Sequence, residues 1–161
     1  MKKVIFAGIF VAVIVWVIIV KTSVVSWQST SMLPTISSGI YFENRFSYVF
    51  GKPQRGDVVI LDLSGISQGG SSVKRIIGLP GEKVVIQNNS VIIYNNYSPD
   101  GVKLDEPYLG VWNGDTGETL IHTLGPDQYF VLGDNRDVSA DSRLFGPVEG
   151  KMITAKLGMR L

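Results

Sequence analysis

An uncharged apolar run over residues 4–20, bracketed by Lys2, Lys3 and Lys21, most constrains this chain. As a helix the run is roughly 25 Å long at 1.5 Å per residue, close to the ~30 Å hydrocarbon core of a bilayer. Lys21 can snorkel to the headgroups, and residues 22–25 can extend the helix. A cleavable signal peptide opens the same way, but its apolar stretch is about 7–15 residues long and leads into a small-residue cleavage site. Here the run is longer, a lysine follows it, and no Ala-x-Ala appears. The expectation is an uncleaved anchor, crossing the cell membrane once. Lys2 and Lys3 favour a cytoplasmic N-terminus. The expected layout is residues 1–3 cytoplasmic, 4–22 transmembrane and 23–161 an extracytoplasmic domain.

Past the run, eighteen glycines punctuate short stretches rich in Val and Ile, a pattern of strands and turns. Strands are expected over 57–63, 73–77, 129–132 and 145–157. Residues 83–94 split around Gln87-Asn88-Asn89-Ser90 and read as a β-hairpin. Residues 23–38 read as an irregular approach, with Pro34 preventing a helix. Residues 64–72 and 95–119 are dense in turn formers and read as loops. The expected fold is mainly β: one curved, multi-stranded domain behind one N-terminal transmembrane helix.

Composition removes several function classes. Formal net charge is +1, so no overall field draws nucleic acid. The absence of cysteine excludes disulfides, thiolate metal sites and a cysteine nucleophile. The single histidine, His122, excludes a multi-His cage and receives no role. Neither metal nor cofactor is expected. Asn88-Asn89-Ser90 and Asn96-Tyr97-Ser98 match the N-glycosylation pattern and read as turn residues.

Three blocks carry chemistry. Ser31 lies in Ser-Met-Leu-Pro-Thr, residues 31–35. Its hydroxyl is a poor nucleophile until a base takes its proton. Lys74 lies in Val-Lys-Arg-Ile-Ile-Gly-Leu-Pro-Gly, residues 73–81. On a strand, its side chain would share a face with Ser72 and Ile76. Burial without a partner drives the proton off an ammonium. Acting as a base near neutrality needs a pKa lowered by ~2–3 from about 10.4, or ~3–4 kcal/mol.

The third block is Gly-Asp-Asn-Arg-Asp-Val-Ser-Ala-Asp-Ser-Arg, residues 133–143. Ser139 can orient a neutral amine without restoring its charge, whereas a carboxylate would raise its pKa. Asp137 or Asp141 is expected to be held by Arg75, Arg136 or Arg143. Asp134, Arg75, Asp141 and Arg143 are the expected structural support. Alone, each block has a plainer reading: a solvated loop serine, a surface Lys-Arg pair, and a polar turn stapled by weak ion pairs.

Together the blocks resemble those of bacterial type I signal peptidases in a compact, single-anchor form. Residues 31–35 are similar to that family's serine box, Gly56-Asp57-Val58-Val59 to its next box, 73–81 to its lysine box and 133–143 to its last. The resemblance spans residues 29 to 147. It implies a membrane-bound serine endopeptidase with Ser31 as nucleophile and Lys74 as general base. It implies an oxyanion hole from the Ser31 amide and Ser29 hydroxyl, and a hydrogen bond from Ser139 to the lysine. The implied partners are secretory precursor proteins, cut after small residues at the third and first positions before the cut, and the lipid bilayer. Val58, Ile60, Val73 and Ile76 are candidates to line shallow apolar pockets. Trp27, Phe42, Phe46, Tyr48 and Phe50 read equally as lipid-facing or core residues. Glu82 stands where Asp is common, and Thr30 where Gly or an aromatic is frequent. Some members carry Gly at the Ser29 position.

Other readings compete. Ser71-Ser72-Val73-Lys74 matches the Ser-x-x-Lys of penicillin-binding proteins, a motif that should open a helix. A peptidase dedicated to one substrate, or an inactive anchored β-domain that binds partners, are the remaining alternatives.

Overall fold

The computed structural model describes residues 8–10, 22–66, 70–110, 112 and 118–161. Residues 8–10 are helical, with Ile9 and Phe10 exposed. The rest of the expected anchor, Thr22 excepted, lies outside the described residues. Among the described residues, no helix is long and apolar enough to cross a membrane.

The domain is built from two antiparallel sheets. Strands β1 (Thr22–Trp27), β2 (Gly39–Asn44), β3 (Val58–Asp62), β4 (Ser71–Gly78), β9 (Gln128–Leu132), β10 (Val148–Glu149) and β11 (Ile153–Arg160) form a seven-stranded sheet in the order β1-β2-β11-β3-β4-β9-β10. Strands β5 (Lys83–Gln87), β6 (Ser90–Asn95), β7 (Ser98–Lys103) and β8 (Leu120–Thr123) form a four-stranded sheet in the order β7-β6-β5-β8. One helical turn, α1 (Ser142–Phe145), follows β9.

Strands β3 and β9 are near-continuous apolar runs because both faces of the large sheet are covered. On β3, Val59 and Leu61 pack with Ile76 and Val131 in one cluster. Between them, Ile60 packs the other way, with Met32, Tyr41, Val73 and Leu157. A third cluster, including Ile77, Val84, Ile86, Phe130 and Leu132, joins the two sheets. Each such side chain contributes about 1.5–3 kcal/mol when fully buried. At the join, a Cβ on Gly78 would fall 2.5 Å from Val84 and 2.9 Å from Phe130, so only glycine fits. The β5–β6 hairpin closes through Asn88 and Asn89, with φ of 49° and 53°. A two-residue turn with both φ positive matches the twist of its flanking strands, and asparagine tolerates that conformation well.

One feature of register positions the site. Strand β4 pairs with β3 from Ser71 to Arg75, but with β9 only from Arg75 to Gly78. Among the described residues, the second edge of residues 71–74 therefore has no strand partner.

Four strands fall where none was expected. Strand β1 occupies part of the stretch read as irregular, and β7 and most of β8 lie in or beside the turn-rich loop. Strand β2 falls where nothing was assigned. The single strand expected over 145–157 is broken into α1, β10, a 3₁₀ turn at Gly150–Met152 and β11. Gly146, with φ of 81°, ends the helix.

Candidate active site

Ser31 lies in a tight turn four residues past the end of β1. Leu33 N–H bonds the Thr30 carbonyl and Ile36 N–H bonds the Met32 carbonyl. Met32 points inward and is fully buried, which fixes the turn against the sheet. The loop after β9 grips the same turn from the other side. Asn135 N–H donates to the Ser31 carbonyl at 3.0 Å, and Asn135 Nδ2 donates to the Thr30 carbonyl at 3.1 Å.

Lys74 reaches the turn from β4. Its Nζ donates to Ser31 Oγ at 3.1 Å. Lys74 is 3% exposed and Ser31 9% exposed, so the contact is nearly dry. Burial pushes the Lys74 ammonium below the usual lysine range; the Asp141 charge opposes this and the Arg143 charge assists it. A neutral amine within hydrogen-bond reach of a hydroxyl has the geometry of a general base.

Ser29 lies beside the pair. Its hydroxyl donates to Ser31 Oγ at 3.1 Å and accepts from the Ser31 N–H at 3.2 Å. The two groups expected to form an oxyanion hole thus face each other.

Three arginine–carboxylate pairs surround the turn. Arg75 donates to Asp134 through Nε at 2.8 Å and through its terminal nitrogen at 2.6 Å. The Thr35 hydroxyl also donates to Asp134. Arg143 makes two bonds to Asp141, at 2.8 and 2.9 Å, and the same carboxylate accepts from Gly133 N–H at 3.0 Å. Arg136 pairs with Glu106. Each buried carboxylate close to Lys74 thus has a guanidinium of its own, which limits its power to hold a proton on the amine.

Ser139 lies close by but makes no side-chain hydrogen bond among the described residues. The expected bond to Lys74 is not formed; the amine instead donates to Ser31. Ser139 is held next to the serine turn through Gly133. A Cβ at Gly133 would fall 2.1 Å from Ser139 Oγ and 2.5 Å from the Ser31 carbonyl oxygen.

Two residues of the site escaped sequence reasoning. Asn135 was visible only as part of a turn, and nothing in the sequence points it at residues more than a hundred positions away. Tyr108, whose ring lies 4.0 Å from the Arg75 guanidinium, sits in a stretch read as loop. The Ser-x-x-Lys alternative fails on geometry: residues 71–74 lie within β4 and open no helix.

The family described as "Signal peptidase, peptidase S26" matches residues 1–161. The chain belongs to this family. It is 37% identical over 149 residues to a signal peptidase I of Bacillus caldolyticus, covering 83% of this chain and 75% of that one. It is 33% identical over 150 residues to a signal peptidase IB of Staphylococcus aureus, covering 83% of this chain and 74% of that one. A crystal structure of a signal peptidase I from Enterococcus faecalis matches with a TM-score of 0.53 and 32% identity, covering 65% of this chain and 96% of that chain. As a member of peptidase S26 the chain is a mainly β serine endopeptidase.

Proposed function

We propose that this protein is a single-pass membrane endopeptidase that removes signal peptides from secretory precursors, with Ser31 as nucleophile and Lys74 as general base. The single observation that carries the reading is the buried 3.1 Å hydrogen bond between Lys74 Nζ and Ser31 Oγ.

The chemistry follows from the geometry. Neutral Lys74 takes the Ser31 proton as Oγ attacks the scissile carbonyl. The developing oxyanion is held by the Ser31 N–H and, once its hydroxyl turns outward, by Ser29. One such donor is worth ~3–4 kcal/mol in the transition state. Protonated Lys74 then gives its proton to the departing amine. Water, deprotonated by the same lysine, cleaves the acyl-enzyme.

A groove of about 510 Å³ supplies the binding side. Val25, Trp27, Ile60 and Val73 form its apolar walls. Two of the four pocket candidates, Ile60 and Val73, line it. Val58 packs against the same cluster, whereas Ile76 belongs to the cluster on the other face. The unpaired edge of residues 71–74 can accept an extended precursor as an added strand, with alternate side chains entering the groove. Small residues at the third and first positions before the cut suit such shallow walls.

The membrane reading rests on the run over residues 4–20 and on exposed apolar side chains near β1. Val24, Ile40, Phe42, Phe46 and Phe50 are all exposed, and Phe50 is 87% so. Lipid is the natural partner for such a patch next to a proposed anchor.

The test is cleavage of a precursor carrying an Ala-x-Ala site by detergent-solubilised protein, beside Ser31→Ala and Lys74→Ala. Cleavage by the parent alone is expected. Cleavage by either variant would overturn the assignment of the dyad.

A further inference from the structure

A second cavity, of about 470 Å³, is lined by neither Ser31 nor Lys74 and has no part in the chemistry above. Its walls include Ile86, Trp112, Leu120, Ser139, Arg143 and Leu144. It therefore lies between the small sheet and the loop that follows β9. Ser139 ties it to the active site, because Ser139 and the Ser31 carbonyl converge on Gly133.

We propose that this cavity binds the first residues after the cut, the leaving side of the precursor; the inference rests on the signal-peptide reading and extends it. The argument begins with the edge of β4. A peptide added along residues 71–74 fills the groove of Val25, Trp27, Ile60 and Val73 and arrives at the dyad. It cannot continue along β4, because β9 takes that edge from Arg75 onward. The chain beyond the cut must leave the sheet there. The loop after β9 borders that exit, and Ser139, on this loop, forms one wall of the cavity.

The lining indicates what the cavity holds. Two polar atoms of its lining residues, Trp112 Nε1 and Ser139 Oγ, are buried with no hydrogen-bond partner among the described residues. A buried donor left unpaired costs stability, and a ligand that supplies the acceptor removes the cost. Arg136 and Arg143 lie over the Trp112 ring at 5.0 and 5.8 Å. Both are already ion-paired, and Glu118 and Asp137 bring opposing charge to the lining. Fixed charges of both signs give no preference for an ionic occupant. Apolar walls of Ile86, Leu120 and Leu144, with two neutral hydrogen-bonding groups, fit an extended, uncharged segment. They favour a residue with a neutral acceptor, such as Gln, over an apolar residue of similar size.

The experiment uses the full chain in detergent and peptides sharing one Ala-x-Ala site. One series ends a single residue after the cut; the other extends four residues, with Gln or Leu placed in turn at the second, third and fourth. Leu144 is 79% exposed and lines the cavity, so Leu144→Trp fills it without disturbing the core. Expected for Leu144→Trp is a kcat/KM about tenfold lower on the long series, chiefly through KM, with the short series unchanged. The parent should prefer Gln to Leu by about fivefold at one position, and Trp112→Phe should erase that preference while cleavage persists. Equal response of both series to Leu144→Trp, or no positional preference in the parent, would overturn the leaving-side assignment and leave the signal-peptide reading standing. Failure of the parent to cleave either series would sink both.

Discussion

Arg75 and Asp134 form a two-pronged ion pair one residue from Lys74, with the carboxylate side chain 1% exposed. The neighbours on β4 therefore meet opposite fates. Arg75 keeps its charge against a carboxylate, while Lys74 is buried next to a hydroxyl. Breaking a buried pair by removing one partner typically costs ~3–5 kcal/mol, because the other charge is stranded. Arg75→Ala should lower stability by about that amount, read as a reduced urea midpoint with an unchanged slope. A loss under ~1 kcal/mol would mean that the Thr35 hydroxyl alone satisfies Asp134.

The depressed Lys74 pKa sets the pH behaviour. Only the neutral amine can accept the Ser31 proton, so kcat/KM should rise with pH through the lowered pKa and then level off. Stability moves the same way. Between the folded value and the unfolded value of about 10.4, the unfolded chain holds more protons, so stability rises with pH in that window. A rate that falls as pH rises through neutrality would contradict a lysine base.

Lys74→Arg should abolish turnover while the fold persists. A guanidinium keeps its proton at any working pH, its pKa lying above ~12. Near-normal cleavage by this variant, with folding checked by circular dichroism, would defeat the mechanism.

Ser29→Ala should lower kcat by ~10²–10³-fold if Ser29 donates to the oxyanion. An unchanged kcat would leave the Ser31 amide alone in that role.

Gly133 has no room for a side chain. A Cβ there would strike Ser139 Oγ at 2.1 Å and the Ser31 carbonyl at 2.5 Å, so Gly133→Ala must push the serine turn away from Lys74. Misplacing reacting groups by ~1 Å costs about 10²-fold, and a loss of that order in kcat is expected. Full activity would show that the turn can yield without disturbing the dyad.

Strands β3 and β9 are legible in the sequence because covering both faces of a sheet leaves unbroken apolar runs. The missed strands sit at edges or are half-solvated. Strand β7, Ser-Pro-Asp-Gly-Val-Lys, has no buried residue and persists through its pairing with β6. Its Pro99 suits an edge, where a missing donor costs nothing. Strand β2 buries only Tyr41 and Glu43. The meeting of Ser31 and Lys74 is legible because a serine needs a base and few residue types can supply one. The ion pairs are legible only when local. Asp141 and Arg143 are two residues apart, whereas Arg75 and Asp134 are separated by 59 positions and Arg136 and Glu106 by 30. Charge alone cannot choose among distant partners; the fold does so by stacking β4 against β9.

Strand β1 begins one residue after Lys21 and is bonded to β2 along all six of its residues. Ser31 follows four residues after its end, a reach of at most ~14 Å. Ser31, the proposed nucleophile, thus follows the proposed anchor on a stiff ribbon, not a slack tether. If the proposed anchor sits in a bilayer, the height of Ser31 above it would be a built dimension of the enzyme, a gauge that admits only peptide bonds lying at one depth.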